Sequence, residues 1–106
     1  MGRESLGEFE HQVLLALLRL GGESYRVPLV EELEERTGRE VAQAAVFIAL
    51  RRLEKRGLLR SRIDVLRGGR PRRYFKPTAA ARQLLRETRR SLERLWEGLD
   101  VGFGER

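Results

Sequence analysis

The sequence predicts a mainly α fold with one small β-hairpin: three short helices, the hairpin, then a long C-terminal helix. Three observations predict it. Apolar residues recur at helical spacing in three stretches before residue 57, each closed by glycine. The arginine-rich stretch LLRSRIDVLRGGRPRRYFK then reads as two strand-like runs around Gly68-Gly69. Finally, Leu85, Thr88, Leu92, Leu95 and Leu99 follow a 3-4-3-4 spacing, a coiled-coil seam with one polar break.

At 106 residues the chain is one domain with at most an appendage, and it can bury only a modest core. Oligomerisation is therefore expected. There is no cysteine, so neither disulfides nor thiolate metal sites are available, which fits a reducing cytosol. The longest apolar run, Val13–Leu18, is far too short to span a bilayer, and no secretory signal precedes it, so no membrane partner is expected. Charged residues are 36% of the chain, and arginine far outnumbers lysine. Arginine's planar fork suits phosphate, although base composition or heat adaptation also raises arginine content.

The first helix covers residues 4–20. Leu6, Phe9, Val13, Leu17 and Leu20 make one stripe, and Leu14, Leu15 and Leu18 widen it to most of the circumference. A helix apolar nearly all round is buried on more than one side. In so small a chain a second subunit is the simplest cover, so Leu14 and Leu18 are candidate dimer-interface residues. His11, the only histidine, sits between Glu10 and Gln12 and reads as solvated. Gly21-Gly22 breaks this helix, and Tyr25 lies in the connection. Pro28 suits the first turn of the second helix, where a missing N–H costs nothing. Leu29, Val30 and Leu33 face inward while Glu31, Glu32, Glu34 and Glu35 are solvated. Thr37-Gly38 stops that helix, and a short turn at Gly38–Glu40 leads into the next, which makes a helix-turn-helix.

The third helix is read over residues 41–56, stopped by Gly57. Val46, Leu50 and Leu53 line its inner face, extended by Ala42 and Ala49. Its outer face carries Ala44, Phe47, Ile48, Arg51 and Lys55. Gln43 is the only side chain in the N-terminal half with amide donors and acceptors. Three readings of Phe47 and Ile48 stay open: folding back on neighbouring structure, contact with thymine methyls, or a protein-facing patch.

Charge singles out the same region. Residues 51–76 hold eleven Lys/Arg and two acids, a net of +9, whereas residues 1–50 sum to −4 and residues 77–106 to +1. Positive charge concentrated on a helix and a hairpin is the footprint of a nucleic-acid binder. Strands are expected around Leu58–Leu66 and Arg72–Lys76. The tip between them carries Arg67, Arg70, Arg72 and Arg73. Charge on a solvated edge strand also blunts edge pairing. But four like charges in seven residues repel one another unless a polyanion neutralises them. Tyr74 and Phe75 point to opposite faces, so one packs inward.

The last helix starts at Pro77-Thr78, with Thr78 as N-cap, and runs to Leu99. Its seam makes Leu85, Leu92, Leu95 and Leu99 dimer-interface candidates, with Trp96 beside them. In a two-fold dimer two Trp96 side chains can flank a cavity in which a small flat aromatic effector stacks. Phe103, in the tail, is a further candidate for packing on a partner. There is no catalytic constellation, metal-ligand spacing or phosphate-cradling glycine loop, so neither an enzyme nor a cofactor is expected.

Helix, helix, turn, helix, two-stranded wing, long helix is the order of a winged helix-turn-helix with a C-terminal dimerisation helix. Residues 1–77 then form the DNA-binding domain, and residues 78–106 the dimerisation helix and tail. Over about residues 5–95 the chain resembles the PadR-like transcriptional regulators. The resemblance lies in LGEFEHQVLLALLRLG, in LEERTG, in VFIALRRLEKRGLLRS against a pattern of the type VYPTLxRLExxGLVxS, and in GGRPRRYFKPTAAARQLL against GRRRRYYRLTxAGRRAL. It implies a cytoplasmic, homodimeric repressor on pseudo-palindromic double-stranded DNA, released in several members by phenolic or drug-like molecules near the dimer interface. On this reading helix 41–56 enters the major groove and the wing, residues 64–73, meets the backbone or minor groove. Arg51, Lys55, Arg70, Arg72 and Arg73 would contact phosphate; Gln43 and Phe47 would face bases.

The chain departs from the family pattern on the reading helix. Ala42, Ala44, Ala45, Phe47 and Ala49 stand where Ser, Gly, Ser/Thr, Tyr and Thr are common; Arg26-Val27 replaces a Gly-Tyr, and Ala81 a glycine. These changes predict weaker discrimination among sequences. They leave room for an alternative, a winged-helix protein-interaction module that presents Ala44, Phe47 and Ile48.

Overall fold

The computed structural model describes residues 5–65 and 69–100. Arg67, the Gly68 half of the expected turn and Phe103 lie outside them. In chain order the elements are α1 (Glu8–Arg19), α2 (Arg26–Thr37), α3 (Gln43–Lys55), β1 (Leu59–Val65), β2 (Pro71–Pro77) and α4 (Ala79–Trp96). The strands pair antiparallel, with Arg62 opposite Tyr74 and Asp64 opposite Arg72.

α1 begins at Glu8, four residues later than expected. Gly7 is its N-cap, and the Gly7 N–H donates to Glu10 Oε1 at 3.4 Å. α3 begins at Gln43, two residues late. Val41 and Val46 occupy the N′ and N4 positions that a hydrophobic staple requires, and Val41 packs against the core rather than starting the helix. Its N–H donates to Glu34 Oε2 at 2.9 Å. Ala42, the N-cap, is exposed and does not extend the inner face.

α3 ends as its sequence demands. Gly57 has φ +78°, its N–H donates to the Glu54 carbonyl at 3.0 Å, and Leu58 N–H donates to the Leu53 carbonyl at 2.9 Å. That pair of bonds is a Schellman cap, and it brings buried Leu53 and Leu58 together. α4 starts at Thr78, whose Oγ1 accepts from Ala81 N–H at 3.2 Å. It stops at Trp96, three residues short of Leu99. Glu97 leaves helical geometry, Gly98 has φ +80°, and Leu99 N–H returns to the Trp96 carbonyl at 2.8 Å. Leu99 therefore falls off the helical line of the seam.

One core holds the first three helices, the wing and the start of α4. It contains Val13, Leu14 and Leu17 of α1, Leu29, Val30 and Leu33 of α2, Val46, Ala49, Leu50 and Leu53 of α3, then Leu58, Leu59, Phe75, Ala81 and Leu85. Phe75 is the inward member of the Tyr74-Phe75 pair. It is anchored by a two-residue bridge in which Ser24 N–H donates to the Phe75 carbonyl at 3.1 Å and Phe75 N–H donates back at 2.8 Å. This bridge fixes the wing against the start of α2. Beyond Leu85 no residue of α4 is fully buried. A compact chain of this length has a radius of gyration of about 13 Å; this one measures 16.2 Å, because α4 projects.

Candidate nucleic-acid interface

Gln43, Phe47, Arg51 and Lys55 are spaced four apart and form one exposed ridge along α3. Phe47 is 42% exposed and Ile48 51%, so neither folds back on neighbouring structure. The inner face is already filled by Val46, Ala49, Leu50 and Leu53, which leaves no room for them. The Arg51 guanidinium lies 5.8 Å from the centre of the Phe47 ring. Its contact with Glu54, at 3.9 Å and well exposed, is a surface pair of little energetic weight.

The wing meets this ridge through a polar relay. Ser61 Oγ donates to Glu54 Oε2 at 2.6 Å, and Arg73 Nη1 donates to Ser61 Oγ at 3.0 Å. Arg73 consequently shares one concavity with Phe47, Ile48, Arg51, Arg52 and Lys55. A second concavity lies on the other side of Phe47, between α3, the start of α2 and the wing. It is lined by Tyr25, Arg26, Val27, Phe47, Arg70, Arg72 and Arg73. Phe47 and Arg73 border both, so the α3 ridge and the wing form one continuous basic surface. Six of the seven expected contact residues line it. Gln43 lies further along the ridge and lines neither concavity.

Tyr25, Arg26 and Arg62 add to the site, none of them expected from sequence. The Arg72 guanidinium lies 4.2 Å from the centre of the Tyr25 ring. Tyr25 meets Tyr74 edge-on, centroids 5.4 Å apart at 62°. Arg62 covers Tyr74 at 4.7 Å and donates from Nε and Nη2 to Glu23 at 2.9 and 3.3 Å. That hydrogen-bonded pair holds the Glu23 carboxyl below its ordinary range and the Arg62 guanidinium above its own. Strand alternation alone puts Arg72 and Tyr74 on one face. Tyr25 joins them only through the Ser24–Phe75 bridge, which no local pattern announces.

A second exposed surface is apolar. Leu15 and Leu18 of α1 and Leu85, Leu92 and Trp96 of α4 line a groove, with His11, Arg82, Arg86, Arg89 and Glu93 at its edges. Leu14 is not part of it. Leu14 is fully buried in its own protomer's core, with no surface left for a partner, and Leu15, 44% exposed, stands in its place. Leu95, 71% exposed, lies outside the groove on the solvent side of α4. Among the described residues there is no group of acids and histidine that could hold a metal, and no helix long and apolar enough to cross a membrane.

Comparison with known proteins fits this geometry. The model of the transcriptional regulator PadR-like family matches residues 14–87. A PadR family transcriptional regulator from Eggerthella lenta is 32% identical, with TM-score 0.68 over 81% of this chain and 75% of its own. A PadR-like transcription factor from Bacteroides fragilis is 26% identical, with TM-score 0.70 over 81% and 82%. Bordetella bronchiseptica BpsR, whose DNA binding is regulated by 6-hydroxynicotinic acid, shares the fold at 24% identity, with TM-score 0.66 over 95% and 73%. A search of curated proteins returned no match. The matched segment holds the second half of α1, all of α2, α3 and the wing, and the first half of α4, so the chain belongs to the PadR-like family of transcriptional regulators.

Proposed function

We propose that this regulator is a cytoplasmic repressor that binds duplex DNA as a homodimer, with α3 in the major groove and the wing on the phosphate backbone or minor groove. The observation that carries this is the continuous surface on which Arg51, Lys55, Arg70, Arg72 and Arg73 are all exposed. Residues 1–77 would read DNA, and residues 78–106 would hold two copies together across the α1–α4 groove. The test is duplex binding against salt. Each neutralised phosphate lowers log affinity by about 0.9 per unit of log salt, so up to ten contacts from two subunits predict a loss of roughly 10³–10⁵ between 50 and 200 mM. Affinity independent of salt would refute the reading.

The regulation of BpsR by a small aromatic acid supports a flat aromatic effector here as well, stacked at Trp96 in the same groove. A second reading, a protein-binding module, is favoured by the exposure of Phe47 and Ile48 on the reading helix. Partner capture that persists in excess duplex would favour it.

A further inference from the structure

Arg72 differs from the other arginines around it in how it is held. Arg62 is neutralised by Glu23, and Arg73 donates into the Ser61–Glu54 relay. The register puts Asp64 opposite Arg72, yet the Asp64 carboxylate turns to Arg62, at 3.8 Å. Among the described residues no carboxylate lies within ion-pair distance of Arg72; what holds it is the face of Tyr25, at 4.2 Å. Tyr25 is itself half-buried, wedged edge-on against Tyr74 and carried by backbone that is hydrogen-bonded to β2 through Ser24. A ring locked on two sides is a rigid platform. An aromatic face restrains a guanidinium without neutralising it, because the attraction comes from the ring quadrupole and leaves the N–H fork free to donate.

We propose that Tyr25 is a positioning residue of the DNA interface: it pre-orders the uncompensated Arg72 guanidinium to meet a backbone phosphate. The inference rests on the duplex-binding reading above. Ordering a long side chain before binding removes part of the entropy lost on binding. With one platform in each of two subunits, removing both should weaken binding by about five- to thirtyfold, equally for every sequence.

The test is a double-mutant cycle on a 30-base-pair random-sequence duplex at fixed salt, with Tyr25→Phe, Tyr25→Leu, Arg72→Ala and the Tyr25→Leu/Arg72→Ala pair. Tyr25→Phe keeps the ring face and should bind like the unmodified protein. Tyr25→Leu should weaken binding in the presence of Arg72 and add nothing once Arg72 is alanine. Equal losses in both backgrounds, or no loss, overturn the proposal, since a merely structural tyrosine would act independently of Arg72. Should Tyr25→Leu not fold, proton NMR of the unmodified protein decides. The Arg72 δ-methylene protons should be shifted upfield by the ring, and random-coil shifts overturn the stack. Arg51→Ala/Lys55→Ala separates the two claims. If that pair weakens binding while Tyr25→Leu does not, only the platform fails; if the unmodified protein does not bind the duplex, both fail.

Discussion

The two exposed surfaces of this chain are built from opposite chemistries. One is the α3–wing surface, on which Arg51, Lys55, Arg70, Arg72 and Arg73 are set around the rings of Phe47 and Tyr25. The other is the α1–α4 groove, where five apolar side chains are rimmed by charge. Both are held on the same small core, a few residues away from their anchors: Leu50 and Leu53 lie under the basic face, Leu14 and Leu17 under the apolar one. Uncompensated charge acts over about 10 Å in 0.1 M salt and weakens as salt rises. An apolar groove acts only on contact, and its contribution scales with the area removed from water. The two surfaces should therefore fail under different treatments, and the mutants below exploit that.

The largest effect is expected at the apolar surface. Leu92→Glu with Leu95→Glu puts charge on the exposed half of α4, where neither leucine supports the protomer's own core. Light scattering should then report a monomer, because an unpaired charge cannot be buried against a second copy at tolerable cost. Thermal stability of each protomer should change little. A dimer that survives both substitutions would break the comparison, and so would an unmodified protein that is monomeric at micromolar concentration.

Next in size is Arg72→Ala with Arg73→Ala. Four phosphate contacts per dimer would be lost, so the slope of log affinity against log salt should flatten by roughly 3–4. The loss should be the same for all duplexes, and the oligomeric state should not move. Phe47→Ala is smaller and different in kind. Phe47 is too exposed to carry much stability. Contact with thymine methyls would shift preference among sequences by about 1 kcal/mol, within the range for one base pair. Selection from a random duplex library checks this. With Ala44, Ala45 and Ala49 in place of polar residues on α3, the ratio of specific to non-specific affinity should lie below the 10³–10⁷ usual for repressors.

The smallest effect is expected at the Glu23–Arg62 pair, which is exposed to solvent. The folded carboxyl is held below its ordinary value of about 4.3, so its contribution is present above that value and disappears as pH falls through the folded one. Glu23→Gln should lower the melting temperature slightly at pH 7, and the difference should fade as pH falls through the folded carboxyl's titration and the carboxylate is protonated. A difference that persists in acid would assign the role to packing.

Local pattern alone determined the order of elements, the inner residues of α2 and those of α3 from Val46 on, and the site of concentrated charge. Helical periodicity, glycine stops and net charge are properties of a short window, and Gly38 and Gly57 take up positive φ where their sequence neighbours require it. Arg51, Lys55, Arg70, Arg72 and Arg73 were legible for the same reason, since an arginine on the outer face of an amphipathic element has only solvent to face. What the window could not decide was which neighbour each apolar side would meet. α1 is apolar nearly all round, so only the docking of α2, α3 and β2 settled that Leu14 is interior and Leu15 open. Phe47 and Ile48 stay outside because Ala49 and Leu50 fill the space within. Tyr25 reaches Arg72, 47 positions away, only because Ser24 pairs with Phe75. Contacts between residues distant in the chain depend on how the elements dock, and that is decided by the shape and volume of the whole core.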